Sequence, residues 1–367
     1  MLAGLNKVLL SAGGTGGHIF PAIAVANEIK KRFPNCEILF VGANGRMEME
    51  KVPQCGFEII GLPIAGLQRK FTFSNLTLPF KIFKSIRKAK QIVRSFKPDV
   101  VVGFGGYASG PTLRVASRMG IPTVLQEQNS YAGVTNKLLA KLANKICVSY
   151  SNMDKFFPEQ KIVFTGNPVR SEFINLPYAQ AEAKKLLGFD DKKKLILVIG
   201  GSLGARAVNE AVISSLELWD THELQLIWQC GRIYKPQLEN LYPNNSQRIL
   251  LDFIKDMALV YAAADIIVSR AGAMSVSELC LIGKPVVFMP SPNVAEDHQT
   301  KNAMALVNEN AAVLVKDEEG VEILGSRVIE VLNNQSLQME LARNIRSMAK
   351  PNATNEIVDI IFSVVNE

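Results

Sequence analysis

The sequence predicts an α/β protein made of two Rossmann-like domains, each a parallel sheet wound with helices. Three observations lead there. Short apolar runs alternate with helix-length amphipathic segments. The 367 residues exceed the roughly 250 that one core usually serves. The two halves also open alike: KVLLSAGGTGGHIFPAIAVANEI is echoed by KLILVIGGSLGARAVNEAVISSL, each reading strand, glycine-rich turn, helix.

Taken in order, the first series of strands is KVLLSA, CEILFVG, DVVVGF, PTVLQEQ, KICVSY and KIVFTGNPV. Near-continuous apolar runs of this kind suit parallel strands covered on both faces. The opening MLAGLNKVLLSAGG reads as the first of these strands and not as an export signal. A polar, proline-containing stretch, TGNPVRSEFINLPYAQAEAKKLLGFDDKKK, places a boundary near residue 165. The second series is KLILVIGG, LQLIWQCG, QRILLDFI, ADIIVSR, PVVFMP and AAVLV. The final helical stretch NEIVDIIFSVV fits either domain by its pattern. We group residues 350–367 with 1–165 as the first domain, leaving 166–349 as the second.

Charge is divided unevenly. Residues 1–165 carry 22 Lys and Arg against 9 Asp and Glu, a balance of +13, while the remainder carries −6, for a net +7. The first half is therefore expected to face something anionic, a membrane surface or a nucleic acid. No nucleic-acid module or base-stacking aromatic pattern accompanies the charge, so nucleic acid is not expected as a partner. Five scattered cysteines and only three histidines leave little for a metal site and fit a reducing compartment. No run reaches the roughly 18 to 20 apolar residues that span a bilayer.

Three glycine-rich turns follow strands: Gly13 to Gly17, Gly103 to Pro111 and Gly200 to Ala205. Glycine lets backbone approach a ligand closely, and the amides of a following helix N-terminus favour phosphate. Neither turn of the echo has the full GxGxxG pattern, and ILFVGANG lacks the acid that holds an adenosine ribose, so no dinucleotide cofactor is expected. A fourth turn, SRAGAMSVSE, follows ADIIVS; Ser275 or Ser277 is expected to cap its helix. Glu278, one turn in, suits the two vicinal hydroxyls of a ribose, or else acts as a plain carboxylate near a helix N-terminus. Asp297, His298 and Gln299, after PVVFMP, suit the hydroxyls of a sugar.

The set GGTGGHIFPAIAVA, GFGGYASGP, EQNSYAGVTNK, TGNPVR, GGSLGA and SRAGAMSVSEL…GKPVVFMPSP…DHQTKNA resembles the MurG family in order and over nearly the whole chain. The resemblance implies a GT-B fold and an inverting transfer of N-acetylglucosamine from UDP-N-acetylglucosamine to the 4-hydroxyl of the N-acetylmuramoyl residue of lipid I, giving lipid II and UDP in peptidoglycan synthesis. It implies donor contacts at Thr15, Gly16, Gly17, Asn129, Arg170, Ser202, Ile254 and Gln299, and along Ala273, Met274, Ser275, Val276, Ser277 and Glu278. This chain has Thr300 where some members carry a second Gln, so a sugar contact there is not carried over. Other cell-wall synthesis or division proteins are candidate partners on the same ground.

The transfer needs a base for the acceptor hydroxyl, positive dipoles for the departing UDP, and alignment of the two sugars. His18, at a helix N-terminus that favours neutral imidazole, is the first candidate base and Glu127 the second. Without an Asp-x-Asp motif, no metal is expected. Gly14, Gly105, Gly106 and Tyr107 are expected to lie along the acceptor pyrophosphate. In the stretch 62–97, Leu67, Phe71 and Phe73 interleave with Arg69, Lys70 and Lys81, a pattern suited to an anionic membrane surface, which the resemblance implies is the cytoplasmic face of the inner membrane. Rival readings are another GT-B enzyme, either a lipid glycosyltransferase or a UDP-sugar epimerase, and a non-enzymatic UDP-sugar sensor.

Overall fold

The computed structural model describes residues 4–64, 78–201 and 203–367. The chain divides into two compact units, Met1–Val169 with Asn352–Glu367, and Arg170–Pro351. Each is a parallel sheet covered by helices, the fold class the sequence predicts.

In the first unit the strands are β1 (Lys7–Ser11), β2 (Glu37–Ala43), β3 (Glu58–Leu62), β4 (Val100–Gly103), β5 (Thr123–Glu127), β6 (Lys145–Val148) and β7 (Ile162–Phe164). Their order across the sheet is β3-β2-β1-β4-β5-β6-β7, with every pairing parallel. Val8, Leu9, Leu10, Val100, Val101 and Val102 are fully buried, as central strands covered on both faces require. The order reverses between β1 and β4, where Ser11 pairs with Gly103, and their two glycine turns therefore leave the sheet side by side.

The sequence reading omits β3. It is an edge strand of mixed exposure, EIIGL, whose short pattern runs straight into Pro63. Leu62, the first residue of the stretch read as membrane-facing, is in fact its fully buried end. KIVFTGNPV is also strand only over Ile162–Phe164, since Gly166 turns the chain at φ +89°.

The helix Ala353–Asn366 lies in this unit. Ile357, Val358, Ile361 and Val364 join the core beneath the helix Gly16–Arg32, Phe362 stacks on Phe33 at 5.5 Å, and Arg32 pairs with Asp359. An amphipathic pattern shows that a helix has a partner, but not which partner.

In the second unit the strands are β8 (Leu195–Ile199), β9 (Gln225–Gln229), β10 (Arg248–Leu251), β11 (Ile266–Ser269), β12 (Val286–Phe288) and β13 (Val313–Leu314), in the order β10-β9-β8-β11-β12-β13 and again parallel. This is the same winding as in the first unit, with its reversal between β8 and β11. Trp219 and Trp228 are buried here; Trp228 Nε1 donates to Asn209 Oδ1 at 3.0 Å. Among the described residues no helix is long and apolar enough to cross a membrane.

Candidate active site

At the reversal point of the first sheet, Thr15 is the extended N-cap of the helix Gly16–Arg32, and its carbonyl accepts the amides of His18 and Ile19 at 3.1 and 3.2 Å. The neighbouring turn contains Gly105 and Gly106 at φ +95° and +82°. A Cβ on Gly106 would press on the Gly13 carbonyl, and one on Gly105 would sit 2.9 Å from His18 Cε1. The glycines are thus needed for contact between two turns and around the imidazole. Ser109, fully buried, has its hydroxyl 2.9 Å from the Ser11 carbonyl and 2.7 Å from that of Gly105, tying the second turn to β1. Tyr107 is 47% exposed on the same turn.

Two residues that the sequence did not single out hold this region. Glu48 is fully buried, and its carboxylate accepts the amides of Gly14 (3.0 Å), in the turn after β1, and Ala43 (2.9 Å), the last residue of β2. Gln128, also buried, has Oε1 2.8 Å from His18 Nδ1. Glu48 gives no local signal because it resembles any acid in a short amphipathic helix. Gln128 sits inside the EQNS motif, where its neighbours Glu127 and Asn129 drew the attention.

Glu127 does not have the geometry of a base. One carboxylate oxygen accepts from the amide and side chain of Asn129 (3.1 and 3.3 Å), the other from the Gly133 amide and Asn136 Nδ2 (3.0 and 2.9 Å). A carboxylate has about four lone-pair sites, and these four donors fill them. Glu127 is 1% exposed and braces the loop that carries Asn129.

In the second unit, Gly200, Gly204, Arg206, Arg270, Ser291 and Gln299 line part of a cavity of about 480 Å³. Gly201 and Gly204 take φ +85° and +79°, and Gln229 Nε2 donates to the Gly201 carbonyl at 2.7 Å. Arg270 holds Asp317 through both terminal nitrogens and donates to the Met289 carbonyl at 2.7 Å. Gln299 Oε1 accepts the Ser291 amide at 2.9 Å, which leaves Nε2 as the donor end of the side chain. Thr300 and Asp297 are paired with each other at 2.7 Å, and His298 lies 3.4 Å from the Glu296 carboxylate.

The helix Ala273–Ile282 begins one residue after Gly272, its extended N-cap. The expected serine cap is not formed: Ser275 lies inside the first turn, and Ser277 Oγ donates back to the Ala273 carbonyl at 3.0 Å. A glycine N-cap suffices at an N-terminus left to receive an anion. Ala273 to Glu278 occupy the first turn and a half. Glu278, 16% exposed, is 3.6 Å from Arg170, whose guanidinium also meets Glu172 at 3.0 Å and lies 4.3 Å over the Phe173 ring. Burial pushes the Glu278 carboxyl up to about 7, against the pull of Arg170. The buried Tyr261 hydroxyl shares a hydrogen bond with Glu278. Ile254 is buried between β10 and the helix Met257–Ala263.

Ser202, Leu67, Arg69, Lys70, Phe71 and Phe73 lie outside the described residues. Lys81 begins the second turn of the helix Leu78–Phe96, where Phe80 and Phe83 are 61% and 65% exposed. Among the described residues no three His, Cys, Asp or Glu side chains group to hold a metal ion.

Residues 8–148 match the glycosyltransferase family 28 N-terminal domain and residues 195–358 its C-terminal domain. The UDP-N-acetylglucosamine--N-acetylmuramyl-(pentapeptide) pyrophosphoryl-undecaprenol N-acetylglucosamine transferase of Flavobacterium psychrophilum is 54% identical over 98% of both chains. That of Parabacteroides distasonis is 50% identical over 98% of this chain and 99% of its own. Among solved structures, Acinetobacter baumannii MurG shares 33% identity at a TM-score of 0.80, covering 98% of this chain and 99% of that one. A UDP-GlcNAc 2-epimerase from Neisseria meningitidis bound to UDP-GlcNAc reaches a TM-score of 0.68 at 15% identity, covering 97% of this chain and 100% of its own, a likeness of fold alone.

Proposed function

This chain belongs to the MurG family, within glycosyltransferase family 28, and from that premise we propose how its residues move N-acetylglucosamine from UDP-N-acetylglucosamine to lipid I, giving lipid II and UDP. The observation that carries the reaction is identity of half or more to enzymes of that name along the full chain.

The donor is α-linked and the product β-linked, so one in-line displacement accounts for the stereochemistry. His18 Nε2 takes the proton of the acceptor 4-hydroxyl. The hydroxyl oxygen bonds to C1 of N-acetylglucosamine, the C1–O bond to phosphate breaks, and UDP departs with the electron pair. Supporting His18 over Glu127 are its Nε2, which meets no hydrogen-bond partner among the described residues, and the filled lone pairs of Glu127.

In the second unit, Glu278 takes the ribose hydroxyls, the N-terminal amides of Ala273–Ile282 and the Ser202 turn receive the diphosphate, Ile254 meets the uracil, and Gln299 donates to the sugar. Arg170 supplies positive charge for the leaving group. In the first unit Thr15, Gly16, Gly17 and Asn129 contribute the remaining donor contacts, and Gly14, Gly105, Gly106 and Tyr107 receive the acceptor pyrophosphate.

The first unit sits on the cytoplasmic face of the inner membrane, where its lipid substrate lies. The +13 balance of residues 1–165 supports this, as do the exposed Phe80 and Phe83 beside Lys81 and Lys84. The reaction is tested by incubating the protein with UDP-N-acetylglucosamine and a short-chain lipid I analogue. A β-1,4-linked disaccharide on the lipid supports the reading. Epimerisation of the UDP-sugar without transfer would replace it with the rival enzyme class.

A further inference from the structure

The side chains behind His18 leave its imidazole only one neutral tautomer, and we propose that Gln128, backed by Gln126 and Asn167, is a positioning residue that keeps the His18 proton on Nδ1 and the lone pair on Nε2. The inference rests on His18 as the base.

The direction of each amide follows from its neighbours. Gln128 Nε2 lies 2.9 Å from the Phe104 carbonyl and 3.3 Å from the Gln126 carbonyl, and it also meets Gln126 Oε1. All three are acceptors, so the nitrogen must face them and Oε1 must face His18. Gln126 is oriented in the same way, its Nε2 donating to Asn167 Oδ1 at 2.9 Å and to Ser149 Oγ at 3.2 Å. Asn167 is fixed in turn by its Nδ2, which donates to the Gln128 carbonyl at 3.0 Å.

The relay therefore runs one way: His18 Nδ1–H to Gln128, Gln128 to Gln126, Gln126 to Asn167. An amide oxygen cannot donate, so the histidine nitrogen facing it must carry the proton. In neutral imidazole the other nitrogen is then the acceptor. Gln126, Gln128 and Asn167 are all 2% exposed or less, so the three amides are held away from bulk solvent. Gly105 closes over the ring edge, limiting rotation. As Nε2 takes the acceptor proton, the imidazolium keeps its Nδ1–H on Gln128 Oε1, and no group needs to reorganise. Without that oxygen the ring can adopt the Nε2–H form, which cannot accept a proton at Nε2.

The test is the nitrogen-15 spectrum of full-length protein labelled at histidine, which has only three such residues. His18→Ala identifies the His18 signals. The wild type should show Nδ1 protonated and Nε2 bare; the reverse overturns the proposal, and this spectrum needs no folded variant at position 128. Gln128→Met should bring in the Nε2–H form and lower kcat by about 10- to 100-fold, less than the full contribution of a positioned base, with KM for UDP-N-acetylglucosamine within about twofold. Gln128→Glu retains an acceptor oxygen for Nδ1–H and should recover most of the turnover.

The double variant His18→Ala/Gln128→Met should be no slower than His18→Ala alone. If Gln128→Met slows the His18→Ala enzyme as much as the wild type, its role is merely structural and the proposal fails. A drop with His18→Ala but none with Gln128→Met also overturns the relay while leaving the base in place. Unchanged turnover in His18→Ala removes the base itself, whatever tautomer the spectrum shows.

Discussion

His18 Nδ1 stands 2.8 Å from Gln128 Oε1, although the two residues are 110 positions apart in the chain. The contact joins the helix that follows β1 to the segment that follows β5. Winding of the sheet brings both strand ends to one edge, and the buried amides beneath decide what chemistry the imidazole can do.

Glu48 holds the first glycine turn from below. Glu48→Ala removes the acceptor of two amides and leaves a cavity, and should destabilise the first unit by about 2 to 4 kcal/mol. Hydrogen exchange at the Gly14 and Ala43 amides checks this: both should lose protection, while strands β8 to β13 keep theirs. Unchanged exchange at Gly14 would remove Glu48 from the support of the turn.

Gly106→Ala should be more harmful than Gly120→Ala. Both glycines have positive φ, +82° and +75°, so the backbone strain is similar, about 1 kcal/mol. Only at Gly106 would the new methyl meet backbone, the Gly13 carbonyl, whereas Gly120 opens into space. Transfer activity should collapse in the first variant and stay near wild type in the second, in assays of each at its own stable temperature.

Donor binding should depend on pH through Glu278. Its carboxyl is raised from 4.5 to about 7 by burial, so the folded state holds this proton more tightly than the unfolded one. The sign for stability follows: Glu278 favours the fold most at low pH, and its contribution declines as pH rises from 4.5 through about 7. Binding in the proposed ribose role runs the other way, because only the ionised carboxylate can accept from both ribose hydroxyls. Affinity for UDP-N-acetylglucosamine, measured by calorimetry, should rise about tenfold from about pH 6 to about pH 8. Glu278→Gln should bind more weakly and with a flat profile.

Phe80 and Phe83 are offered for the membrane. Replacing both with Ser should lower partitioning onto anionic vesicles by about tenfold or more, since each removes an exposed aromatic ring from the surface that would dip into the interface. Lys84, 4.5 Å over the Phe80 ring, stays to report the electrostatic share. Donor affinity should not change. Undiminished partitioning would move the membrane contact elsewhere on the first unit.

Much of this was legible in the sequence, because parallel strands buried on both faces write themselves as apolar runs and glycine turns mark their ends. β3 escaped because an edge strand carries mixed polarity and here meets a proline. The helix Ala353–Asn366 showed that it had a partner without showing which one. The turns, His18 and Glu278 stood out by residue type and spacing. Glu48, Gln126, Gln128 and Asn167 did not, since their roles depend on which carbonyl or amide each one faces, and that is set by folding between distant segments. The serine cap at Ala273–Ile282 failed for the opposite reason: local preference pointed to it, but the chain placed Gly272 at that position.

The measurement that tests the central claim most directly is turnover of His18→Ala with a short-chain lipid I analogue, beside its affinity for UDP-N-acetylglucosamine by calorimetry. We predict transfer reduced by about 10²- to 10⁴-fold, as loss of a positioned base entails, with donor affinity within about threefold of wild type. Transfer at the wild-type rate with donor affinity intact would contradict the assignment of His18 as the base.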